Sequence, residues 1–90
     1  MHILIVTDGS EKGRDAANFV AVLARPAGAN VTLLGTIGQP RGQKRLMSHL
    51  DELGHALFDG SECVVTTKVE VGYAEEIILQ EVANHFYYPA

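Results

Sequence analysis

Ile3-Leu4-Ile5-Val6 is an unbroken apolar run, and Thr7-Asp8-Gly9-Ser10 ends it abruptly. A strand that is apolar at every position has to be covered on both faces, which is the usual condition of a strand inside a parallel sheet. Parallel neighbours cannot be joined by a tight turn; they need crossovers of a dozen residues or more, normally helices. One short segment therefore already asks for a β-α-β chain path.

The remaining sequence supplies one. From Glu11 the period changes, and Ala16, Phe19, Val20 and Leu23 recur at helical spacing, which predicts that this stripe faces the sheet. Ser10 is placed to cap that helix, with Glu11 in its first turn where a negative charge suits the helix dipole. Arg25-Pro26-Ala27-Gly28 is expected to end it, because proline disfavours helical geometry in the residue before it. Val31 to Ile37 reads as a second strand, and a polar loop, Gly38 to Arg45, follows. Leu46, Leu50, Leu53 and Leu57 then form one leucine stripe on a second helix that Asp59-Gly60-Ser61 terminates. In the third strand, Cys63 to Val71, Val65, Thr67, Val69 and Val71 alternate with Val64, Thr66, Lys68 and Glu70. One face is thus partly wet, as at a sheet edge. A third helix carries Ala74, Ile77, Ile78, Val82 and Phe86.

The expected architecture is a single α/β domain over residues 1–90, a three-layer sandwich with a parallel sheet in the sequence β-α-β-α-β-α. Right-handed crossovers give strand order 3-2-1, with the first two helices on one face and the third on the other. No strand is expected beyond the first one, so its outer edge, Ile3 to Val6, is expected to be open. An open edge of unpaired backbone groups invites pairing with a second copy, which makes a homodimer or larger homo-oligomer the expected assembly.

Composition narrows the functional classes. Seven Lys and Arg against eleven Asp and Glu give a net charge of −4, the wrong sign for a nucleic-acid footprint. No apolar run approaches the ~18 residues of a membrane span, and the first eight residues lack the basic start of a signal peptide. The single cysteine, Cys63, has no partner for an internal disulfide. A cytoplasmic protein with neither nucleic acid nor membrane as partner is expected.

In such sheets ligands sit outside the carboxyl ends of the strands, so Thr7, Asp8, Gly9 and Ser10 are the first candidates. Two readings are open there: a site for a ligand's anion or amino and hydroxyl groups, or a capped turn in which Asp8 and Ser10 satisfy the helix's own donors. Neither the phosphate-loop nor the dinucleotide glycine fingerprint holds at Gly9 to Arg14. Arg41, Lys44 and Arg45 form a basic cluster at another carboxyl end, either a solvated loop or a cover for phosphate. His49, Glu52 and His55 do not read as a metal site, since the two histidines lie about 120° apart on a helix. Cys63 reads as an inert thiol.

The run Ile3 to Glu11, a strand followed by Thr-Asp, a small residue and Ser, resembles the opening of the universal stress protein family. Val31-Thr32-Leu33-Leu34 is similar to that family's second strand, and Val69-Glu70-Val71-Gly72 with Ala74-Glu75-Glu76-Ile77-Ile78 to its third strand and helix. The resemblance implies a sheet of order 3-2-1-4-5, of which this chain is the C-terminally incomplete part, and a non-enzymatic role in stress response or regulation. It also implies ATP as the ligand, with Thr7 and Asp8 at the adenine end and Thr36 beside the base, where the family usually has an aliphatic residue. The family's phosphate motif, Gly, two residues, Gly, nine residues, Gly-Ser/Thr, follows a strand that is missing here. Gly35 and Gly38 match only its first spacing, with Ser48 where the next glycine would fall. Weak or undetectable ATP binding and no metal are therefore expected. The alternative is an interaction module with no nucleotide role.

Overall fold

The computed structural model describes residues 1–84 and 88–89, and the side chains of residues 1–84. Its elements alternate as the hydrophobic periods require: β1 (His2–Thr7), α1 (Glu11–Ala27), β2 (Asn30–Ile37), α2 (Gln43–Phe58), β3 (Val64–Val71), α3 (Ala74–Asn84) and β4 (Tyr88–Pro89). The fold is α/β with an open parallel sheet, and the hydrogen-bonded order is β3-β2-β1-β4.

β4 corrects the expectation that nothing flanks β1. Ile3 pairs with Tyr88 and Leu4 with Pro89, so the amino half of that edge is occupied by the chain itself. The crossover through α3 carries the chain back across the sheet, and a right-handed connection delivers it beside β1.

The core lies between the sheet and the first two helices. Ile3, Ile5, Val31, Leu33 and Val69 meet the leucines of α2, whose expected stripe Leu46, Leu50, Leu53 and Leu57 is buried at every position. β2 runs through the middle of the sheet, with Leu33 and Leu34 wholly buried on opposite faces. α3 lies on the second face, tied down where the ammonium of Lys68 donates to the Glu81 carboxylate at 2.7 Å. None of its described residues is fully buried, and Phe86, expected on its apolar stripe, lies outside the described residues.

α1 turns out differently from its expected stripe. The residues that meet the sheet are Ala17, Ala21 and Ala24, each at most 4 % exposed, whereas Phe19, Val22 and Leu23 are 64–71 % exposed. Of the expected stripe only Val20 packs against the core, and only partly. The reason is steric. A β-carbon added at Gly13, in line with the buried alanines, would collide with the Thr7 hydroxyl. The β1 face beneath already carries Ile3 and Ile5, which leaves α1 room for small residues alone.

The helix also passes through Pro26 to Ala27 rather than stopping before it. Proline removes a bond to the carbonyl four residues back, on Val22, and Val22 is exposed, so solvent can satisfy that oxygen. Gly28 ends the helix instead, in a left-handed conformation at φ 59°, with its N–H donating to Arg25 at 3.2 Å.

Candidate functional site

The loops leaving β1 and β2 meet at the carboxyl end of the sheet and enclose a cleft of about 290 Å³. Asp8 and Gly9 form one wall, Gly42 and Arg45 at the start of α2 the other, and Ile37 and Leu46 supply apolar surface, with His49 completing the lining. Gly9 and Gly42 both hold φ near +88°, the left-handed region that lets each loop turn at once into its helix. The volume is at the lower end of the ~300–1,000 Å³ typical of small-molecule pockets.

The β1 loop has the geometry of a capped turn. The Asp8 carboxylate accepts from the Ser10 N–H at 2.9 Å, and the Ser10 hydroxyl oxygen accepts from the Gly13 N–H at 3.3 Å. The Ser10 hydroxyl, and after it the Ser10 N–H, hold the Asp8 carboxyl below its ordinary value, because hydrogen bonds to it favour the charged form. Thr7 is buried, and its hydroxyl oxygen accepts from the Gly9 N–H at 3.1 Å beneath the turn. Of the expected ligand contacts, then, Asp8 reaches the cleft while Thr7 braces the loop from below. Thr36 falls on the opposite face of β2; Ile37, one residue on, lines the cleft.

The second wall is electropositive. α2 starts at Gly42 with no side-chain cap, and its first turn has no acidic residue. The Gln43 N–H donates to the Pro40 carbonyl at 3.2 Å, and the positive dipole end of the helix points out beside Arg45. Of the basic cluster, Arg45 lines the cleft, while Arg41 and Lys44 are exposed and do not. His49, weighed in the sequence only as a metal ligand, lies three positions after Leu46 on the flank of the leucine stripe and lines the cleft. Its Nε2 atom is shut off from solvent and has no hydrogen-bond partner among the described residues. Leaving such a group unpaired costs about 1–3 kcal/mol.

A second cleft, about 320 Å³, runs between the C-terminal half of α2 and β3. Its polar groups pair with the protein itself. Thr67 donates to Asp51 at 2.9 Å, His55 and Asp59 are 3.1 Å apart, and the Cys63 thiol donates to the Ala24 carbonyl at 3.3 Å. The cleft beside Asp8, with its apolar floor and the uncapped start of α2, is the stronger candidate.

Among the described residues no group of three or more His, Cys, Asp or Glu is placed to hold a metal ion. Nor is any helix there long and apolar enough to cross a membrane. The open crevice that topology creates at the strand-order switch lies between β1 and β4. The cleft found here is on the other flank of β1, toward β2. No family model, curated protein or solved structure matches this chain.

Proposed function

We propose that this protein is a non-enzymatic regulatory module of the universal stress protein type, acting in the cytoplasm, whose cleft beside Asp8 takes the nucleoside end of an adenine nucleotide weakly. The observation that carries the reading is the composition of that cleft: one exposed carboxylate, one guanidinium and the His49 ring around an apolar floor of Ile37 and Leu46. A purine presents a flat apolar face with polar edges, which suits such a lining. Asp8 can accept from an exocyclic amine or a ribose hydroxyl, and Ile37 takes the place beside the base that the resemblance gave to Thr36. The nearest hydroxyls, on Thr7 and Ser10, are engaged in bracing and capping the turn, which favours binding over nucleophilic chemistry.

Affinity follows from the same geometry. Asp8 is fully solvent-facing, so its bonds to a ligand compete with water and are screened. The cleft is small, about 290 Å³, with Arg45 as its cation. A Kd of roughly 0.1–1 mM for adenosine and for ATP is expected, about −4 to −5.5 kcal/mol. Titration of the 90-residue chain with adenosine and ATP, followed by ¹H–¹⁵N NMR, tests this. Shifts at Gly9, Gly42 and His49 that Asp8→Ala weakens support the reading. Sub-micromolar ATP binding, or no response at these residues with 10 mM adenosine (about ten times the weakest expected Kd), refutes it and leaves an interaction module without a nucleotide role.

A further inference from the structure

β3 is an outer strand of the sheet. It pairs with β2 from Val64 to Val71 in unbroken register, without a bulge or a proline. Natural edges this regular are usually blunted, most often by a lysine. Here Lys68 is held by Glu81 at 2.7 Å on the α3 face. The direction of the backbone groups follows from one bond just past the strand. The Gly72 N–H donates to the Ile37 carbonyl at 2.9 Å, so the even-numbered residues of β3 bond to β2. Backbone direction alternates along a strand, which turns the N–H and C=O groups of Val65 and Thr67 outward. Among the described residues nothing bonds to them. Val69, next in the series, is buried and ends the accessible stretch.

That stretch borders the second cleft, about 320 Å³, which has Val65 and Phe58 as its apolar floor and α2 as its far wall. Gly54 keeps the groove open, because α2 has no side chain there and an added β-carbon would stand 3.4 Å from Val65. The wall is acidic: Asp51 and Asp59 line it, and no lysine or arginine does. The Asp51 carboxylate accepts from the Thr67 hydroxyl at 2.9 Å and has no ion-pair partner among the described residues. Asp59 has the exposed His55 beside it at 3.1 Å.

We propose that this edge and groove bind an extended basic segment of another protein by strand addition. Main-chain bonds to Val65 and Thr67 hold the segment, and its alternate side chains enter the groove. Thr67, beside Asp51, and Cys63, at the Asp59 end, lie about 13 Å apart along the strand direction. The fitting pattern is therefore a lysine or arginine at each end and a branched apolar residue midway, with one residue between each pair. The central side chain meets Val65, and the outer two meet the carboxylates. The pattern reads the same in both directions, so parallel and antiparallel entry present the same side chains. A second copy is a poorer occupant. A two-fold axis normal to the sheet leaves both α2 helices on one side, so the acidic walls of two chains of net charge −4 would face each other across the joint.

The test is titration of the 90-residue chain at low salt with the end-capped peptide Ser-Lys-Thr-Val-Thr-Lys-Ser, followed by ¹H–¹⁵N NMR. Saturable shifts at the Val65 and Thr67 amides are expected, with a Kd below about 1 mM and no response at Gly9 or Gly42. Asp51→Asn and Asp59→Asn should each weaken binding about two- to fivefold. Thr67→Pro should abolish it and keep the parent circular dichroism, because that N–H has no bond within the sheet to lose. Methylated peptides ask the same question without touching the protein. Only one edge of the peptide faces β3, so N-methylation at Lys and Val or at the two Thr should weaken binding about tenfold or more in one case and spare it in the other. No response at about 5 mM peptide, equal effects of the two methylation patterns, or shifts at Gly9 and Gly42 instead overturn the proposal. So does dimerisation without peptide that protects the Val65 and Thr67 amides from exchange, which would give the edge to a second copy.

Discussion

Replacing Gly13 with alanine should destabilise the protein, although alanine is the better helix former. In isolation the exchange favours the helix by about 1 kcal/mol. Here the new methyl would meet the Thr7 hydroxyl oxygen well inside contact distance, with the Thr7 β-carbon 3.2 Å away. Either α1 lifts from β1 or Thr7 leaves its place and releases the Gly9 N–H that it accepts at 3.1 Å. Overpacking of this kind costs about 1–3 kcal/mol, and the lost hydrogen bond about 1 kcal/mol. The net expectation is a loss of roughly 1–2 kcal/mol, or about 5–15 °C in Tm for a domain of this size. The sharper assay is a double-mutant cycle by urea denaturation with Thr7→Ala, which removes the oxygen in the way. Alone, Thr7→Ala should cost about 1 kcal/mol or somewhat more; in its background Gly13→Ala should be neutral or slightly stabilising, a coupling of about 1–2 kcal/mol. A stabilised Gly13→Ala protein, or strict additivity, would show that Thr7 does not lie under the helix. The role assigned here to Thr7, as brace rather than ligand contact, would then fall.

Two further outcomes follow from burial and titration. Leu50→Ala, at a wholly buried position, should cost about 3 kcal/mol or more, whereas Leu23→Ala, 64 % exposed, should change stability by less than about 0.5 kcal/mol in dilute solution. Similar losses at the two sites in a denaturation series would overturn the facing of α1. The Asp8 carboxyl is held below its ordinary value of 3.8 by its bonds from Ser10. The folded state therefore binds that proton less readily than the unfolded one. Its stabilisation is present above the unfolded value and is lost as the pH falls through the folded one. Asp8→Asn should flatten this part of the acid limb in melts between about pH 5 and pH 2, a window of about three units spanning the carboxylate range; an unchanged limb would contradict the Ser10 bonds.

Part of the cleft's lining was legible in the sequence: Asp8, Gly9 and Arg45 line it, while Thr7 and Thr36 do not. An apolar strand ending at Asp8 before a capped helix fixes where a ligand can approach, and Asp8 does reach the cleft. Ile37 and His49 were not legible as lining residues, because their place depends on how α2 crosses β2. That crossing is set by close approach at Gly35, where an added β-carbon would stand 2.9 Å from Leu46 and 3.0 Å from Leu50. Thr36 fell away for a related reason. One step along a strand reverses the face, so a position correct to within one residue points to the wrong side of the sheet.

By itself the sequence determined the alternation of strands and helices, the parallel sheet and the leucine face of α2. Each of these follows from a local period and from the need to cover an apolar strand. Only the tertiary structure decided which side of α1 turns inward. Hydrophobicity favoured the stripe through Phe19 and Leu23, but the space above β1 admits only Gly13, Ala17, Ala21 and Ala24. Volume is a property of two surfaces in contact, and no single segment carries it. That choice leaves Phe19, Val22 and Leu23 on the outer face of the helix.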